Sequence, residues 1–355
     1  MTDEAVISAA DRRYLTVAIR ADASSRIGTG HVLRCLGLAD ELARRGHRVI
    51  FITVEAAGHL MEMVRARGYE CVALAAAADA REDGSLTMGV ISRLGAAVDW
   101  LIVDHYGLDS EWETLVRPSV RRLLVLDDLA DRQHEADALL DPVHSDESAY
   151  RGLVPARTRL LLGPQYVLLR REFFSRRQTP RVIGPVHRIL ITFGGNDPLN
   201  LTGLVLRALA APDFAALRLD VTLGTSNMRL EEVRRQANSL PNVTVYVQHP
   251  KLSELMEVAD LCVGAGGTTT WERCYLGLPT LIAILADNQR DFAAYCNRIG
   301  VARLIGEGEN LRVEDIRSAV LSAMEDEAWR AACSVTGQAL VDGQGIARVI
   351  DVLES

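Results

Sequence analysis

The stretch that decides the fold is Arg20-Ala21-Asp22-Ala23-Ser24-Ser25-Arg26-Ile27-Gly28-Thr29-Gly30-His31-Val32-Leu33-Arg34-Cys35. It follows a β-rich run over residues 15–19 and leads into a helical pattern over residues 31–45. A strand, a Gly-x-Gly turn and a helix in this order point backbone N–H groups at an anion. We therefore predict that Gly28 and Gly30 contribute to a binding loop. Leu33 stands where a dinucleotide fingerprint has its third glycine, so that fingerprint is absent.

His31 lies at the start of this predicted helix, at the carboxyl end of the first strand. The helix dipole disfavours an imidazolium there, so one interpretation is a neutral ring that serves as a general base. The other interpretation is a capping or packed histidine. The local sequence does not decide between the two.

The alternation of short β-rich runs and helical patterns continues along the chain. The predicted strands are residues 15–19, 48–53, 70–74, 100–103, 123–126, 188–192, 218–223, 243–247, 260–263 and 280–284. Helical patterns separate them, in the first half over residues 31–45, 59–67, 86–98 and 110–117. This alternation predicts parallel sheets covered on both faces. The expected fold class is α/β, with two Rossmann-like doubly wound parallel-sheet domains facing across a cleft.

The alternation breaks between Gly163 and Val186, where prolines, glycines and arginines are concentrated. We therefore predict an N-terminal domain over residues 1–165, which carries the His31 loop, and a linker over residues 166–186. A second domain is predicted over residues 187–340. Residues 341–355 are predicted to form a C-terminal helix that could pack back onto the first domain.

The charged residues restrict the possible functions. The chain has 355 residues with 39 Lys+Arg against 47 Asp+Glu, a formal net charge of −8, and Lys251 is the only lysine. No Gly-Lys-Ser/Thr occurs, which excludes a P-loop NTPase, and a Schiff-base enzyme would have to depend on Lys251. A net acidic chain without a basic tract also argues against a nucleic-acid partner and an anionic membrane surface.

The cysteines and the first residues bear on the compartment. The six cysteines are scattered without a C-x-x-C pair, which is typical of reduced thiols rather than of a disulfide framework or a zinc site. Residues 1–13 are polar and do not resemble a signal peptide, and no apolar run approaches the ~18 residues of a spanning helix. We therefore expect a soluble, cytoplasmic protein with no metal, no cofactor and no obligate protein partner.

Two glycine turns follow strands of the second half. Gly194 and Gly195 lie in Thr192-Phe193-Gly194-Gly195-Asn196-Asp197-Pro198, and Gly266, Gly267 and Thr268 lie in Gly264-Ala265-Gly266-Gly267-Thr268-Thr269-Thr270-Trp271-Glu272. Glycine lets the backbone approach a diphosphate, and threonine at a helix start adds a hydroxyl donor. Glu272 either accepts from a ribose diol or offsets the helix dipole. Taken together, the two loops favour phosphate binding.

Polar residues also follow three other predicted strands. Asp104, His105 and Tyr106 follow one, Asp127 and Asp128 the next, and Asn288 and Gln289 follow a strand of the second half. Paired acids can do acid–base work or bind a metal, but they are also common helix caps and turn formers, which is slightly favoured for Asp127 and Asp128. The role of Tyr106 stays open. The amides of Asn288 and Gln289 suit sugar hydroxyls, acetamides or a diphosphate, and equally suit helix capping.

Motifs that resemble those of one protein family occur in the same order over residues 15–291. They are Arg-x-Asp-x-Ser-x-x-Ile-Gly-x-Gly-His-x-x-Arg-Cys-Leu-x-Leu-Ala over residues 20–39, Val-Asp-His-Tyr over 103–106, Leu-Asp-Asp-Leu-Ala over 126–130, Leu-Gly-Pro-Gln-Tyr-x-Leu-Leu-Arg-x-Glu-Phe over 162–173, Phe-Gly-Gly-x-Asp-Pro over 193–198, Gly-Ala-Gly-Gly-x-Thr-Thr-Trp-Glu-Arg over 264–273, Gly-Leu-Pro over 277–279 and Ala-Asp-Asn-Gln over 286–289. As a set, they resemble the PseG-type hydrolases of the pseudaminic-acid pathway. These enzymes are UDP-2,4-diacetamido-2,4,6-trideoxy-β-L-altropyranose hydrolases.

This resemblance implies a GT-B fold similar to that of MurG-like glycosyltransferases, with a UDP-sugar substrate in the cleft. It implies that His31 is the base that activates water, with Tyr106 and Asn288 assisting around the sugar. It assigns Glu272 to the uridine ribose and Arg170 to a substrate contact. The residues that it places at the diphosphate are Gly266, Gly267 and Thr268. No metal is implied.

The expected activity is metal-independent hydrolysis of the anomeric C1–O bond of this UDP-sugar, with inversion and release of UDP. The first alternative is an inverting GT-B glycosyltransferase that passes the sugar to an acceptor. A second is a non-catalytic sugar-nucleotide-binding module that makes no use of His31. A UDP-sugar 2-epimerase is a weaker third.

Overall fold

Two parallel β-sheets organise the chain. The computed structural model describes residues 14–24, 27–225, 227–249 and 251–355. The first unit ends at Leu168 and also takes in Gln344–Ser355, and the second comprises Leu169–Gly343. Residues 166–168 of the predicted linker lie in the first unit and residues 169–186 in the second.

The first sheet has seven parallel strands in the order β3-β2-β1-β4-β5-β6-β7. The strands are β1 (Thr16–Ala21), β2 (Arg48–Val54), β3 (Glu70–Leu74), β4 (Val98–Asp104), β5 (Val120–Leu126), β6 (Ala138–Asp141) and β7 (Arg159–Leu162). The helices of this unit are α1 (Gly30–Arg44), α2 (Met61–Ala66), α3 (Ala80–Arg93), α4 (Ser110–Val116) and α12 (Gly345–Glu354). The strand order reverses between β1 and β4, where doubly wound sheets bind ligands at the carboxyl ends of the strands.

The second sheet has six parallel strands in the order β10-β9-β8-β11-β12-β13. The strands are β8 (Arg188–Thr192), β9 (Arg218–Leu223), β10 (Val243–Val247), β11 (Leu261–Ala265), β12 (Thr280–Ile284) and β13 (Arg303–Glu307). The helices are α5 (Leu201–Ala208), α6 (Leu230–Asn238), α7 (Leu252–Val258), α8 (Thr269–Leu276), α9 (Arg290–Arg298), α10 (Val313–Glu325) and α11 (Glu327–Leu340). Here the order reverses between β8 and β11.

Each predicted strand overlaps a strand of the structure, but β6, β7 and β13 were not predicted. β6 and β7 have only four residues each, too few to show a periodic pattern. β13 is a half-buried edge strand in which Gly306 has φ +138°, and the register of its pairing with β12 shifts. Helix α3 begins six residues before its predicted start, because Asp79 caps it by accepting a hydrogen bond from the Glu82 N–H at 2.8 Å.

Helix α12 completes the hydrophobic core of the first unit. Val349 and Ile350 are fully buried in the cluster that contains alternate residues of β1 and the apolar face of α1. The indole N–H of Trp100, on β4, donates to the carbonyl of Leu353 at 2.9 Å. The last turns of the chain are thus packed into the unit that begins with β1.

Candidate functional site

The first unit has a cluster of ionisable side chains at the point where the strand order reverses. His31 is the second residue of α1, and Asp104 is the last residue of β4. Because β1 and β4 pair directly, these residues come together although they are 73 positions apart in the chain. Nδ1 of His31 lies 2.5 Å from Oδ1 of Asp104, and only 7% of His31 is exposed.

Asp104 is held from its other side by Arg34. Nε and Nη2 of Arg34 each donate a 2.6 Å hydrogen bond, one to each carboxylate oxygen of the fully buried Asp104. Burial opposes ionisation of Asp104, but the Arg34 guanidinium and His31 hold the pKa of that carboxyl well below its usual range. The group is therefore a carboxylate with a fixed orientation.

This carboxylate determines which nitrogen of His31 carries the proton. An ionised carboxylate only accepts hydrogen bonds, so Nδ1 of His31 must donate to Asp104. The ring nitrogen Nε2 is then left as a proton acceptor. Within the part of the chain that the structure describes, Nε2 has no hydrogen-bond partner.

Tyr106 and Asp128 extend the cluster. Nη1 of Arg34 donates to Oδ2 of Asp128 at 2.9 Å, and the Tyr106 hydroxyl donates to Oδ1 of the same carboxylate at 2.8 Å. The rings of Tyr106 and His31 meet edge to face, with centroids 4.7 Å apart. Partial desolvation of the hydroxyl and the neighbouring Asp128 raise the pKa of Tyr106 well above its usual range, so its hydroxyl stays protonated.

Together these groups can support general base catalysis. Two carboxylates, Asp104 and Asp128, share one guanidinium, which leaves the cluster with a net negative charge. That charge can stabilise positive charge on the His31 ring when Nε2 takes a proton. The arrangement therefore offers an oriented base beside a protonated phenol.

Sequence reasoning selected His31 and Tyr106, but it did not select Arg34 and gave Asp104 no role. One signal for Arg34 was available, since residues three apart on a helix share a face and His31 and Arg34 have this spacing. No local signal points to Asp104, because its contact with α1 depends on the pairing of β1 with β4.

The adjacent aspartates after β5 have different roles. Asp128 belongs to the His31 cluster. Asp127 is fully buried and accepts from the N–H of Ala130 and from the hydroxyl of Tyr150, both at 2.9 Å. The interpretation of this pair as turn formers therefore fits Asp127 and not Asp128.

His134 lies near Asp127, and its contacts with carboxylates predict that the protein loses stability at alkaline pH. Nδ1 of His134 is 2.7 Å from Glu113, and Nε2 is 3.7 Å from Asp127. Burial lowers the pKa of His134, but the two carboxylates outweigh burial and raise it to about 9. A pKa that is higher in the folded than in the unfolded protein stabilises the fold below the unfolded value of about 6.5 and loses this effect as the pH rises through 9. We expect urea unfolding to give a free energy of unfolding that falls by about 3 kcal/mol between pH 6 and pH 10.

The variant His134→Asn is the matched control for this titration. It keeps a polar side chain at the position but removes the titrating ring. Its free energy of unfolding is expected to change much less over the same range of pH. An equal fall in both proteins would contradict the assignment to His134.

A separate cavity opens near the carboxyl ends of β1, β2 and β4. It is lined in part by Asp22, Asp83 and His105, and His31 is not among its lining residues. Arg20, which is 1% exposed, donates to both aspartates. Burial and the charge of Arg20 lower the pKa of His105, so its ring is neutral at pH 7. This cavity is adjacent to the His31 cluster but distinct from it.

In the glycine turn before His31, one of the two backbone N–H groups that were predicted to bind a ligand is hydrogen-bonded within the turn. Gly28 has φ +82°, and its N–H donates to the carbonyl of Ser24 at 2.8 Å. Gly30 is exposed and is the first residue of α1, so its N–H has no acceptor within the helix. An anion at this turn would therefore meet Gly30 rather than Gly28.

In the second unit, the Gly194–Gly195 turn follows β8 and packs against the end of β9. The carbonyl of Gly195 accepts from the N–H of Gly224 at 3.1 Å, and a Cβ on Gly224 would lie 2.7 Å from that oxygen. Asp197 then caps α5 by accepting from the N–H groups of Leu201 and Thr202 at 2.9 and 2.8 Å. Both glycines stay exposed at the carboxyl edge of the sheet.

The loop between β11 and α8 is tightly packed on one side and open on the other. A Cβ on Gly266 would lie 3.0 Å from the Ile282 side chain, whereas a Cβ on Gly267 would meet nothing within 4 Å. The N–H groups of Gly267, Thr268 and Thr269 have no acceptor among the described residues. Free amides at the start of a helix form a site for an anion.

Glu272 and Arg170, both predicted to contact a ligand, are bonded to each other. Nε and Nη2 of Arg170 lie 2.9 Å from Oε1 of Glu272, and Nη1 lies 2.8 Å from Glu172. Oε2 of Glu272 is buried and has no hydrogen-bond partner among the described residues. One oxygen of Glu272 is thus fixed, and the other is available as an acceptor.

Asn288 and Gln289 lie on a short turn after β12 and differ in their surroundings. Oε1 of Gln289 accepts from the N–H of Leu285 at 3.1 Å, so its amide is partly used within the turn. Asn288 is exposed and makes no hydrogen bond to another described residue. Asn288 is therefore the freer of the two amides.

The described residues, 14–24, 27–225, 227–249 and 251–355, contain neither a metal-binding cluster nor a membrane-spanning helix. No group of three or more His, Cys, Asp or Glu side chains in those ranges is arranged to hold a metal ion. No helix there is both long and apolar enough to cross a membrane.

Comparison with known proteins places these features in context. Residues 189–334 match the model of the glycosyltransferase family 28 C-terminal domain. The chain is 26% identical over 341 residues to the spore coat polysaccharide biosynthesis protein SpsG of Bacillus subtilis strain 168, covering 95% of this chain and 97% of that protein. It is 24% identical over 287 residues to the UDP-2,4-diacetamido-2,4,6-trideoxy-β-L-altropyranose hydrolase of Campylobacter jejuni, covering 81% of this chain and 97% of the relative.

The fold has a match among solved structures. The crystal structure of Acinetobacter baumannii MurG aligns with a TM-score of 0.65 at 14% identity and covers 96% of this chain and 99% of MurG. MurG is a GT-B glycosyltransferase, and each unit here has the parallel α/β sheet of that fold. The chain therefore has the GT-B fold, and its second unit is similar to the C-terminal domain of family 28 glycosyltransferases.

Proposed function

We propose that this chain hydrolyses the anomeric C1–O bond of UDP-2,4-diacetamido-2,4,6-trideoxy-β-L-altropyranose, and releases UDP and the free sugar with inversion. The observation that carries the proposal is the His31–Asp104 pair. It directs the proton of His31 to Nδ1 and leaves Nε2 free to accept one. A hydrolase needs such a base to activate water.

The second unit supports the nucleotide part of the proposal. The free amides of Gly267, Thr268 and Thr269 suit a diphosphate. The unpartnered Oε2 of Glu272 suits a ribose hydroxyl, which would donate to it while Arg170 fixes Oε1. In this proposal Arg170 acts on the ligand through Glu272.

In the proposed reaction, Nε2 of His31 takes a proton from a water molecule as the water oxygen bonds to C1. The C1–O bond to the diphosphate breaks at the same time, and its electron pair leaves with UDP. Attack opposite the leaving group inverts the configuration at C1. The negative charge that develops on the diphosphate is stabilised by preorganised N–H groups, the type of contribution that is often largest in enzymes. Tyr106 and Asn288 are proposed to hold the sugar.

The comparisons support this proposal at two levels. The match to the family 28 domain supports action on a sugar nucleotide. The specific reaction is supported by the resemblance to the Campylobacter jejuni hydrolase. The same family 28 match also makes transfer to an acceptor the main alternative.

Isotope labelling tests the proposed reaction. The UDP-sugar is incubated with the protein in ¹⁸O-labelled water without an acceptor, and the products are analysed by mass spectrometry. Label in the free sugar is expected, because water attacks C1. NMR of the first product is expected to show the anomer opposite to that of the substrate.

Other outcomes would assign the chain to another class. Label in a phosphate group would mean cleavage of a P–O bond and would contradict the proposal. Release of UDP only after addition of an acceptor would favour a glycosyltransferase. Binding of the UDP-sugar without release under either condition would favour a non-catalytic binding module. A His31→Ala variant, run in parallel, shows whether any release depends on the proposed base.

A further inference from the structure

Arg273 is a buried cation directly beneath the loop between β11 and α8. It lies on α8, only 1% of it is exposed, and its guanidinium lies against Gly264 and Ala265. Nη2 donates to the carbonyl of Ala265 at 2.7 Å and to the hydroxyl of Thr270 at 2.8 Å. A Cβ on Gly264 would clash with the carbonyl oxygen of Thr192 and would lie 2.7 Å from Nη1, so this glycine leaves room for both groups.

The partners of Arg273 carry no negative charge. They are a carbonyl oxygen, a hydroxyl and the Sγ of Cys262 at 3.8 Å, and burial raises the pKa of the Cys262 thiol, which keeps it neutral. No carboxylate of the described residues forms an ion pair with Arg273, and its Nε has no hydrogen-bond partner there. By contrast, the guanidiniums of the buried Arg20 and the partly buried Arg34 each contact two carboxylates.

A buried charge without a counterion is unfavourable. The free N–H groups of Gly267, Thr268 and Thr269 lie at the loop that Arg273 supports. An anion held by these amides would face positive charge from the helix start and from the guanidinium beneath it. One anionic ligand could therefore serve both as the counterion of Arg273 and as the acceptor for these N–H groups.

We propose that Arg273 selects a diphosphate at this loop, because its uncompensated charge acts through the loop on the anion without touching it. Arg273 is in this sense a positioning residue, since it also holds the Ala265 carbonyl and thereby the shape of the loop. The proposal rests on the proposed function, because it takes a nucleoside diphosphate as the ligand. It adds that one buried residue, together with the free N–H groups of the loop, contributes to the discrimination between UDP and uridine.

Binding of UDP and of uridine to the full chain tests this proposal. Isothermal titration calorimetry is run on the unchanged protein and on the variants Arg273→Gln and Arg273→Lys. In Arg273→Gln we expect the affinity for UDP to fall about tenfold or more, as expected for a charge interaction across several ångströms of protein. The affinity for uridine is expected to stay within about twofold, because uridine has no charge for Arg273 to attract. Arg273→Lys keeps the charge and should bind UDP more tightly than Arg273→Gln.

The outcomes separate this proposal from the proposed function. A UDP affinity in Arg273→Lys no better than in Arg273→Gln would show that Arg273 only maintains the loop, and an equal loss of affinity for UDP and uridine would show a general loss of structure; either result would overturn the proposal. Unchanged UDP affinity in Arg273→Gln would also overturn the proposal. Failure of the unchanged protein to bind UDP would instead contradict the proposed function, and the present proposal with it.

A second pair of variants keeps the test decisive if Arg273→Gln does not fold. Thr270→Asp places a carboxylate where the Thr270 hydroxyl now accepts from Arg273 at 2.8 Å, and Thr270→Asn is its neutral control. We expect the aspartate to raise the thermal stability relative to the asparagine, because it pairs the buried cation. We also expect it to lower UDP affinity by about tenfold or more while uridine binding changes little. Equal UDP affinity in the two variants would contradict the role of Arg273.

Discussion

Replacing His31 by alanine is expected to lower kcat for release of UDP by roughly 10²–10⁴-fold, the contribution typical of a general base. The structure gives the reason, since Asp104 accepts from Nδ1 and leaves Nε2 as the acceptor for a proton of water. The affinity for UDP is expected to stay within about threefold, because the groups proposed to bind UDP belong to the other unit. Steady-state kinetics and calorimetry measure the two effects separately.

The matched control is His187→Ala, which removes an exposed histidine from the second unit. Its kcat is expected to equal that of the unchanged protein. A His31→Ala variant with near-normal turnover would disprove the assignment of His31 as the base. A parallel loss of UDP affinity would indicate a role in binding rather than in proton transfer.

The change Asp104→Asn is expected to affect both stability and catalysis. Asp104 is fully buried and receives two hydrogen bonds from Arg34. Removing one partner of a buried ion pair leaves the other charge poorly compensated, so the free energy of unfolding should fall by about 3 kcal/mol. The asparagine carbonyl would face Arg34, and its NH₂ would donate to Nδ1 of His31. The proton of the ring would then move to Nε2, and kcat should fall by roughly 10²-fold or more.

A double variant distinguishes an effect through His31 from a general loss of structure. If Asp104 acts on catalysis by orienting His31, then kcat of His31→Ala/Asp104→Asn should be close to that of His31→Ala alone. Multiplication of the two losses would mean that Asp104 has an independent role. Urea unfolding of all three variants shows how much of each loss of kcat comes from unfolded protein. Asp128→Asn is a useful comparison, because it disturbs Arg34 and Tyr106 but leaves the bond between His31 and Asp104 in place.

The architecture followed from the sequence wherever the chain forms long buried strands. The runs at residues 48–53 and 218–223 are predicted within a residue of β2 and β9. The first is a nearly continuous apolar run, as in a strand buried on both faces, and the second alternates polar and apolar residues. β6 and β13 were missed for a different reason. Such short or half-buried strands owe their form to the neighbour that they pair with, and pairing is a property of the whole fold.

Less of the candidate site could be predicted. The glycine loops were predictable because glycine at a strand–helix junction indicates such a loop from the local sequence alone. The contacts of Asp104 with His31 and Arg34 join residues about 70 positions apart, so they exist only once β4 lies beside β1. Asp127 and Asp128 could not be separated either. Two adjacent residues after a strand point in different directions, and the sequence does not show which one faces the protein interior.

The position of helix α12 at the end of the sequence affects the order in which the two units can fold during synthesis. The first unit has most of its residues before Leu168, yet its core includes Val349 and Ile350, which are translated after the whole of the second unit. At about 5–20 residues per second, the ribosome needs roughly 10–35 s to synthesise the intervening part. During that interval the apolar face that later receives α12 lacks this helix. The first unit is therefore expected to be the client of chaperones during translation, and the second unit to reach its native state first.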